Sequence, residues 1–201
     1  MNIPTPETVL YWAILLLSYS LIGGGLKYID QAYDAKVFSK KIAWLIAIIT
    51  ATVMGGLIAL DAPSATILLA VIIGVAVTRK IDAYPFYLGV IIVFTMIVLI
   101  NNFKIMWTGL LPLLIAGMLD EEFNNMADKK KFPQILNTVF HYRPLMKLTV
   151  LGLAVYGMFG PIYFLAFLLF DLSYIAVEKV SESLGRTESH LERGGKLAAA
   201  T

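Results

Sequence analysis

The chain has 201 residues, 59% of them hydrophobic and 15% charged, whereas a soluble domain carries about a quarter charged residues. A net charge of +2 gives no indication of a nucleic-acid partner, and the absence of cysteine removes disulfides, thiol nucleophiles and thiolate metal sites. Only His141 and His190 are present, which argues against His-clustered zinc, bis-His haem and a Ser-His-Asp triad.

Seven apolar segments follow in order: Val9–Leu26, Ile42–Leu60, Ser64–Thr78, Tyr84–Ile100, Ile105–Leu119, Leu145–Phe159 and Ile162–Val177. Several are nearer ~15 residues than the ~20 that span a bilayer upright, so flanking residues or a thin membrane must make up the length. The run from Leu145 to Val177 would make ~50 Å of helix, too long for one span, so Gly160-Pro161 reads as a turn between two helices. Met1 to Glu7 has no basic region of the signal-peptide kind.

Loop charge alternates with the segments. Lys27, Lys36, Lys40 and Lys41 follow the first and Arg79 and Lys80 the third. Lys129 to Lys131 and Arg143 follow the fifth, and Lys179 and Arg186 the seventh. The other loops hold Asp61, Lys104 and Gly160-Pro161. The positive-inside rule then predicts an all-α integral protein of the cell membrane, with about seven transmembrane helices, the N-terminus outside and the C-terminus cytoplasmic. Residues 1–182 form its single transmembrane domain. Residues 183–201 read as a polar tail whose last six have the look of a cloning remnant.

Small residues mark expected helix contacts. Ala47, Ala51, Gly55 and Ala59 form a four-residue stripe, as do Ala70, Gly74 and Thr78, and such stripes let helices approach closely in lipid. Gly23-Gly24-Gly25 reads either as a crowded crossing or as a loosened helix end where backbone meets a ligand. Three consecutive glycines cannot all face one neighbour. In the longest loop, Phe132, Ile135, Leu136, Val139 and Phe140 recur at helical spacing. They predict a short amphipathic helix in the cytoplasmic interface, next to the headgroup-attracting Lys129-Lys130-Lys131.

The candidate chemistry lies at the cytoplasmic endings. Asp30 and Asp34 are spaced i, i+4, and Asp82 and Asp120 end the third and fifth segments. These four are the candidate Mg²⁺ ligands, because Mg²⁺ takes carboxylate oxygens and keeps waters free for a phosphate. Lys27, Arg79 and Lys80 would neutralise that phosphate, and Asn124 and Asn125 are spare oxygen donors. Asp171 lies ~13 Å into the last segment, where an unpaired carboxylate is costly. If Gly160-Pro161 is a turn, Asp171 comes within reach of Lys147, with Tyr174 a further hydrogen-bonding candidate. The candidate catalytic set is thus Asp30, Asp34, Asp171 and Lys147.

The Asp-x-x-x-Asp pair resembles one of the two Asp-rich motifs of the intramembrane prenyltransferases, which bind a prenyl diphosphate through Mg²⁺. The chain has two fewer spans than that family and no second Asp-x-x-x-Asp, so it is not assigned there. A retinal protein is excluded by the lack of a lysine in the last segment. Three readings remain. The first is a Mg²⁺-dependent enzyme acting on a phosphate- or diphosphate-bearing lipid or isoprenoid at the cytoplasmic face. The second is a small transporter or channel built on Asp171 and Lys147. The third is a structural or partner-binding membrane protein. The expected partners are membrane lipid and a phosphate-bearing lipid substrate, with no nucleic acid.

Overall fold

The computed structural model describes residues 6–77, 83–129 and 131–198. Arg79, Lys80 and Asp82, three of the candidate site residues, lie outside the described residues, as do Thr78 and Lys130. The described residues form eight helices: α1 (Pro6–Tyr33), α2 (Lys40–Leu60), α3 (Ala62–Val77), α4 (Tyr84–Ile100), α5 (Trp107–Asp128), α6 (Gln134–His141), α7 (Pro144–Val155) and α8 (Pro161–Ala198). Three stretches are long and apolar enough to cross a membrane: Glu7–Tyr33, Lys40–Leu60 and Pro161–Thr187. Ala62–Val77, Tyr84–Ile100 and Pro144–Val155 are shorter apolar helices. The outward faces of α1, α4, α5 and α7 carry residues such as Leu17, Ile91, Phe94, Val98, Leu111 and Leu148, all well exposed. Apolar side chains in such numbers suit a hydrocarbon surrounding rather than water.

Helix boundaries have local causes. α7 ends in a left-handed glycine: Gly157 has φ +83°, its N–H reaches the Ala154 carbonyl, and the Met158 N–H reaches that of Leu153. This pairing of bonds satisfies carbonyls that a helix end leaves orphaned. Pro161 then opens α8, so the break at Gly160-Pro161 is a turn. Two elements run on past their apolar stretches. α5 continues through Asp120, Glu121 and Asn124 to Asp128, and α8 continues to Ala198, so the segment from Ser183 to Ala198 is helical.

The packed pairs close a ring, running α1, α8, α7, α5, α3, α2 and back to α1, while α4 packs outside it on α2 and α6 on α5. One half of the ring is filled. Leu15, Tyr19, Ile58, Ile67, Leu113 and Val150 are almost wholly shielded there. A cluster of Tyr11, Tyr163 and Asp61 closes that end. Tyr163 and Tyr11 both donate to Asp61 Oδ1, at 2.8 and 3.0 Å, while Asp61 Oδ2 accepts the Ser64 N–H at 2.9 Å. That last bond caps the start of α3.

The three glycines stay helical within α1 and serve two neighbours. A Cβ on Gly23 would strike the Phe170 carbonyl of α8, one on Gly25 would strike Thr50 Oγ1 of α2, and one on Gly24 would make ordinary contacts near 3.6 Å. The α2 stripe also packs as expected, with Gly55 against Val93 and Met96 of α4. In the α3 stripe Ala70 and Gly74 are both buried, and Thr78 lies outside the described residues.

Candidate functional site

The other half of the ring is open and holds a cavity of about 620 Å³. Helix ends that carry acids and bases surround its mouth, while apolar residues of α2, α3 and α4 line its depth. Among the described lining residues there are six carboxylates (Asp30, Asp34, Asp120, Glu121, Asp171, Glu178) and three cations (Lys27, Arg143, Lys147). Among the described residues the lining is therefore acidic.

Each cation is held in place. The Lys27 ammonium, on the last turns of α1, lies 2.9 Å from Asp30 and 2.8 Å from Glu178, with the Tyr174 ring centroid 4.9 Å away. Gln31 extends the set, donating to Asp30 at 3.3 Å and accepting the Ser181 hydroxyl of α8 at 2.8 Å. Arg143 lies 3.3 Å from Glu121 of α5 and 5.8 Å from the centroid of the same Tyr174 ring. One aromatic face of α8 thus serves two cations from α1 and the α6–α7 turn, and such contacts are worth ~0.5–2 kcal/mol each. Burial works against the Arg143 charge, but Tyr174, Glu121 and Glu178 more than offset it, so its proton is held more firmly than usual.

The backbone at Arg143 is left-handed, with φ 47° and ψ 66°. A residue before proline is pushed out of the right-handed helical region, and Pro144 begins α7. A non-glycine residue in this conformation costs ~1–3 kcal/mol and persists where its surroundings hold it. Glu121 and Tyr174 are those surroundings.

Lys147 and Asp171 pair across α7 and α8 at 2.6 Å, each one-fifth exposed, and Lys147 also donates to the Tyr142 carbonyl. The turn at Gly160-Pro161 is what brings them level. Tyr174 faces Lys27 and Arg143 instead of serving Asp171.

Asp120 has a different task from the one its position suggests. It is buried, and its two oxygens accept the backbone N–H groups of Leu145 and Met146 at 2.9 and 2.7 Å. Two orphan donors at the α7 N-terminus are thereby satisfied from another helix. Asp34 also lines the cavity, and its N–H reaches the Asp30 carbonyl at 2.9 Å, which continues the α1 spiral by one residue. Among the described residues, no three of the Asp, Glu and His side chains gather closely enough to hold a metal ion. Asp30 is already engaged by Lys27 and Asp120 by the α7 backbone. Asp30, Asp34 and Asp120 therefore do not by themselves form a three-carboxylate metal group, and the fourth candidate, Asp82, lies outside the described residues.

Two buried acceptors on the lining lack a hydrogen-bond partner among the described residues: Asn124 Oδ1 and Thr50 Oγ1. Unpaired buried polar atoms cost ~1–3 kcal/mol, and a ligand or solvent in the cavity is the natural partner. Sequence reading identified Asn124, Lys27, Lys147 and Asp171. It missed Arg143 as a site residue, along with Glu121 and Glu178. Glu121 sits beside Asp120 and Glu178 lies seven residues past Asp171. That spacing, two helical turns along one face, was the available signal for Glu178.

No protein-family model, no curated protein and no solved structure matches this chain.

Proposed function

We propose that this is a seven-span enzyme of the cell membrane that acts on a phosphate- or diphosphate-bearing lipid, with the N-terminus outside and the reaction at the cytoplasmic face. One observation carries the reading. A single cavity joins a charged mouth, with Lys27, Arg143 and Lys147 around it, to an apolar depth beside Met54, Val90 and Val93. That division matches an amphipathic ligand whose head group is anionic and whose body is hydrocarbon. The alternation of basic loops supplies the orientation. α6 supports it as well: Phe132 and Phe140 pack on Phe123, while Ile135, Leu136 and Val139 stay exposed for an interface.

In this reading Arg143 grips phosphate oxygens with its planar fork and Lys147 and Lys27 act as point charges. Asp34 and Asp171 are the groups placed to accept or relay a proton. The six carboxylates oppose a bare anion, so a divalent ion carried in on the phosphate would lower the repulsion. When bound, Mg²⁺ would neutralise charge developing on the transferred or departing phosphate, with Asp30, Asp34 and the Asn124 oxygen the donors nearest that task. Transport is the weaker alternative, because the opposite half of the ring is packed with apolar side chains from Leu15 to Val150.

The test is thermal unfolding of the detergent-purified protein with inorganic phosphate, diphosphate and long-chain alkyl phosphates, each with and without Mg²⁺. Ligands that bind only the folded state raise its stability by ~2.7 kcal/mol at a hundredfold excess over Kd. A rise with the phosphates that Arg143→Gln abolishes supports the reading. No rise with any of them in the unsubstituted protein would overturn it.

A further inference from the structure

One face of α8 measures the depth of the charged mouth. Asp171, Tyr174 and Glu178 stand at i, i+3 and i+7, and all three line the cavity. From Asp171, the nearest of them to the packed end, to Glu178 is ~10 Å along the helix. Each position faces a cation from a different element. Glu178 meets Lys27 of α1 at 2.8 Å, the Tyr174 ring centroid lies 5.8 Å from the Arg143 guanidinium at the α6–α7 turn, and Asp171 meets Lys147 of α7 at 2.6 Å. The three cations therefore form a ladder down the cavity wall, with Lys27 outermost, Arg143 in the middle and Lys147 deepest.

The rungs cannot gather at one level without breaking bonds. Lys27 is buried and held by Asp30 as well as Glu178, and Lys147 donates to the Tyr142 carbonyl as well as meeting Asp171. Arg143 is fixed between Glu121 and Tyr174 on its left-handed backbone. α7 gives a second measure, since Lys147 lies four residues past Arg143, or ~6 Å of helix. On the facing helix α5, Asp120 caps the first turn of α7, and Asn124 stands one turn farther from the packed end. Asn124 is buried on the lining, and its Oδ1 has no hydrogen-bond partner among the described residues. A polar ligand at the outer rungs would satisfy it. Polar lining thus extends over at least one helical turn on α5 as it does on α8.

We propose that the ladder binds a diphosphate, with one phosphoryl group between Arg143 and Lys147 and the second reaching Lys27. Charge-assisted bonds of ~2.8 Å let a single phosphate join cations no more than ~8 Å apart. A second phosphoryl group extends that reach to ~11 Å, which covers the ladder. The inference rests on the anionic head-group reading above and narrows it from phosphate in general to diphosphate. A lipid diphosphate and free diphosphate share this chemistry, and the apolar depth of the cavity beside Met54 and Val93 favours the lipid.

The test measures affinities of the full chain in nanodiscs of neutral lipid, at fixed Mg²⁺, for inorganic phosphate, inorganic diphosphate, dodecyl phosphate and dodecyl diphosphate. Dodecyl diphosphate should bind the unsubstituted protein at least roughly tenfold more tightly than dodecyl phosphate, since one further hydrogen bond to a charged group amounts to that. Lys147→Met should weaken both alkyl ligands. Lys27→Met should weaken dodecyl diphosphate roughly tenfold more than dodecyl phosphate, a split that a purely structural role for Lys27 would not produce. The comparison in the unsubstituted protein needs no variant. Equal affinity there for the two alkyl ligands would overturn the diphosphate inference and leave the phosphate site standing. So would a folded Lys27→Met that weakens both alkyl ligands equally. Inorganic diphosphate bound as tightly as dodecyl diphosphate would assign the ladder to free diphosphate and overturn the lipid. Failure of every probe to bind would overturn both the ladder and the head-group reading.

Discussion

Asp120 of α5 caps α7 by accepting the N–H groups of Leu145 and Met146 at 2.9 and 2.7 Å. A carboxylate used this way is a structural part of the site, because the helix it caps carries Lys147 and follows directly on Arg143. Replacing Asp120 by Ala should leave two buried donors unsatisfied and lower stability by ~1–3 kcal/mol. Asp120→Asn keeps an acceptor for one of them and should fall between. Thermal unfolding in detergent ranks the three proteins, and an Ala variant as stable as the unsubstituted chain would refute the capping role.

The glycine triplet makes a sharper ordering. Gly24→Ala should be neutral or stabilising, because a Cβ there meets only ordinary contacts and alanine gains up to ~1 kcal/mol of helix propensity over glycine. Gly23→Ala should destabilise strongly, because its Cβ would run into the Phe170 carbonyl, which is backbone and cannot swing away. Gly25→Ala should lie between, since Thr50 Oγ1 can rotate. Melting temperatures in that order check the α1–α8 crossing directly. A destabilised Gly24→Ala alongside a tolerated Gly23→Ala would reverse the assigned faces.

Much of this arrangement was legible in the chain. The apolar runs locate α1 to α5, α7 and α8 to within a few residues at most ends, because apolar content is set locally. The Lys147–Asp171 pairing was also within reach, since one turn at Gly160-Pro161 fixes the level of two adjacent helices. What sequence reading missed depends on long-range packing. Glu121 and Arg143 meet only because the α6–α7 turn folds back on α5. Nothing local to Asp120 announces that its oxygens belong to a helix 25 residues on. The helical run past Ser183 was missed for another reason: its polar composition resembles a tail, while Ser181 and Glu178 tie its start to α1.

At the packed end, Asp61 should matter for stability and not for ligand. Its carboxylate holds Tyr11, Tyr163 and the Ser64 N–H, and so ties α1, α3 and α8 together. Asp61→Ala should cost ~1–3 kcal/mol through the orphaned donors, and Tyr163→Phe about 1 kcal/mol. Neither should change affinity for a phosphate ligand at the opposite end of the ring. A loss of binding in correctly folded Asp61→Ala would mean that the two ends are coupled.

The Lys147–Asp171 pair separates a structural role from a ligand-binding one. Both side chains are one-fifth exposed, so removing one partner leaves the other charge partly desolvated. Lys147→Met and Asp171→Asn should each destabilise, and the double variant should lose less than their sum. A double-mutant cycle should give a coupling of ~0.5–3 kcal/mol. Ligand affinity should split the two. Lys147→Met removes one of the three cations among the described lining residues and should weaken phosphate binding. Asp171→Asn removes a like charge from the anion's surroundings and releases Lys147 toward it, so binding should hold or tighten. If Asp171→Asn weakened phosphate binding as much as Lys147→Met, the pair would be acting as one positioned unit. The proton-relay assignment of Asp171 would then rest on its bond to Lys147, and the simple picture of a cation waiting for an anion would have to be abandoned.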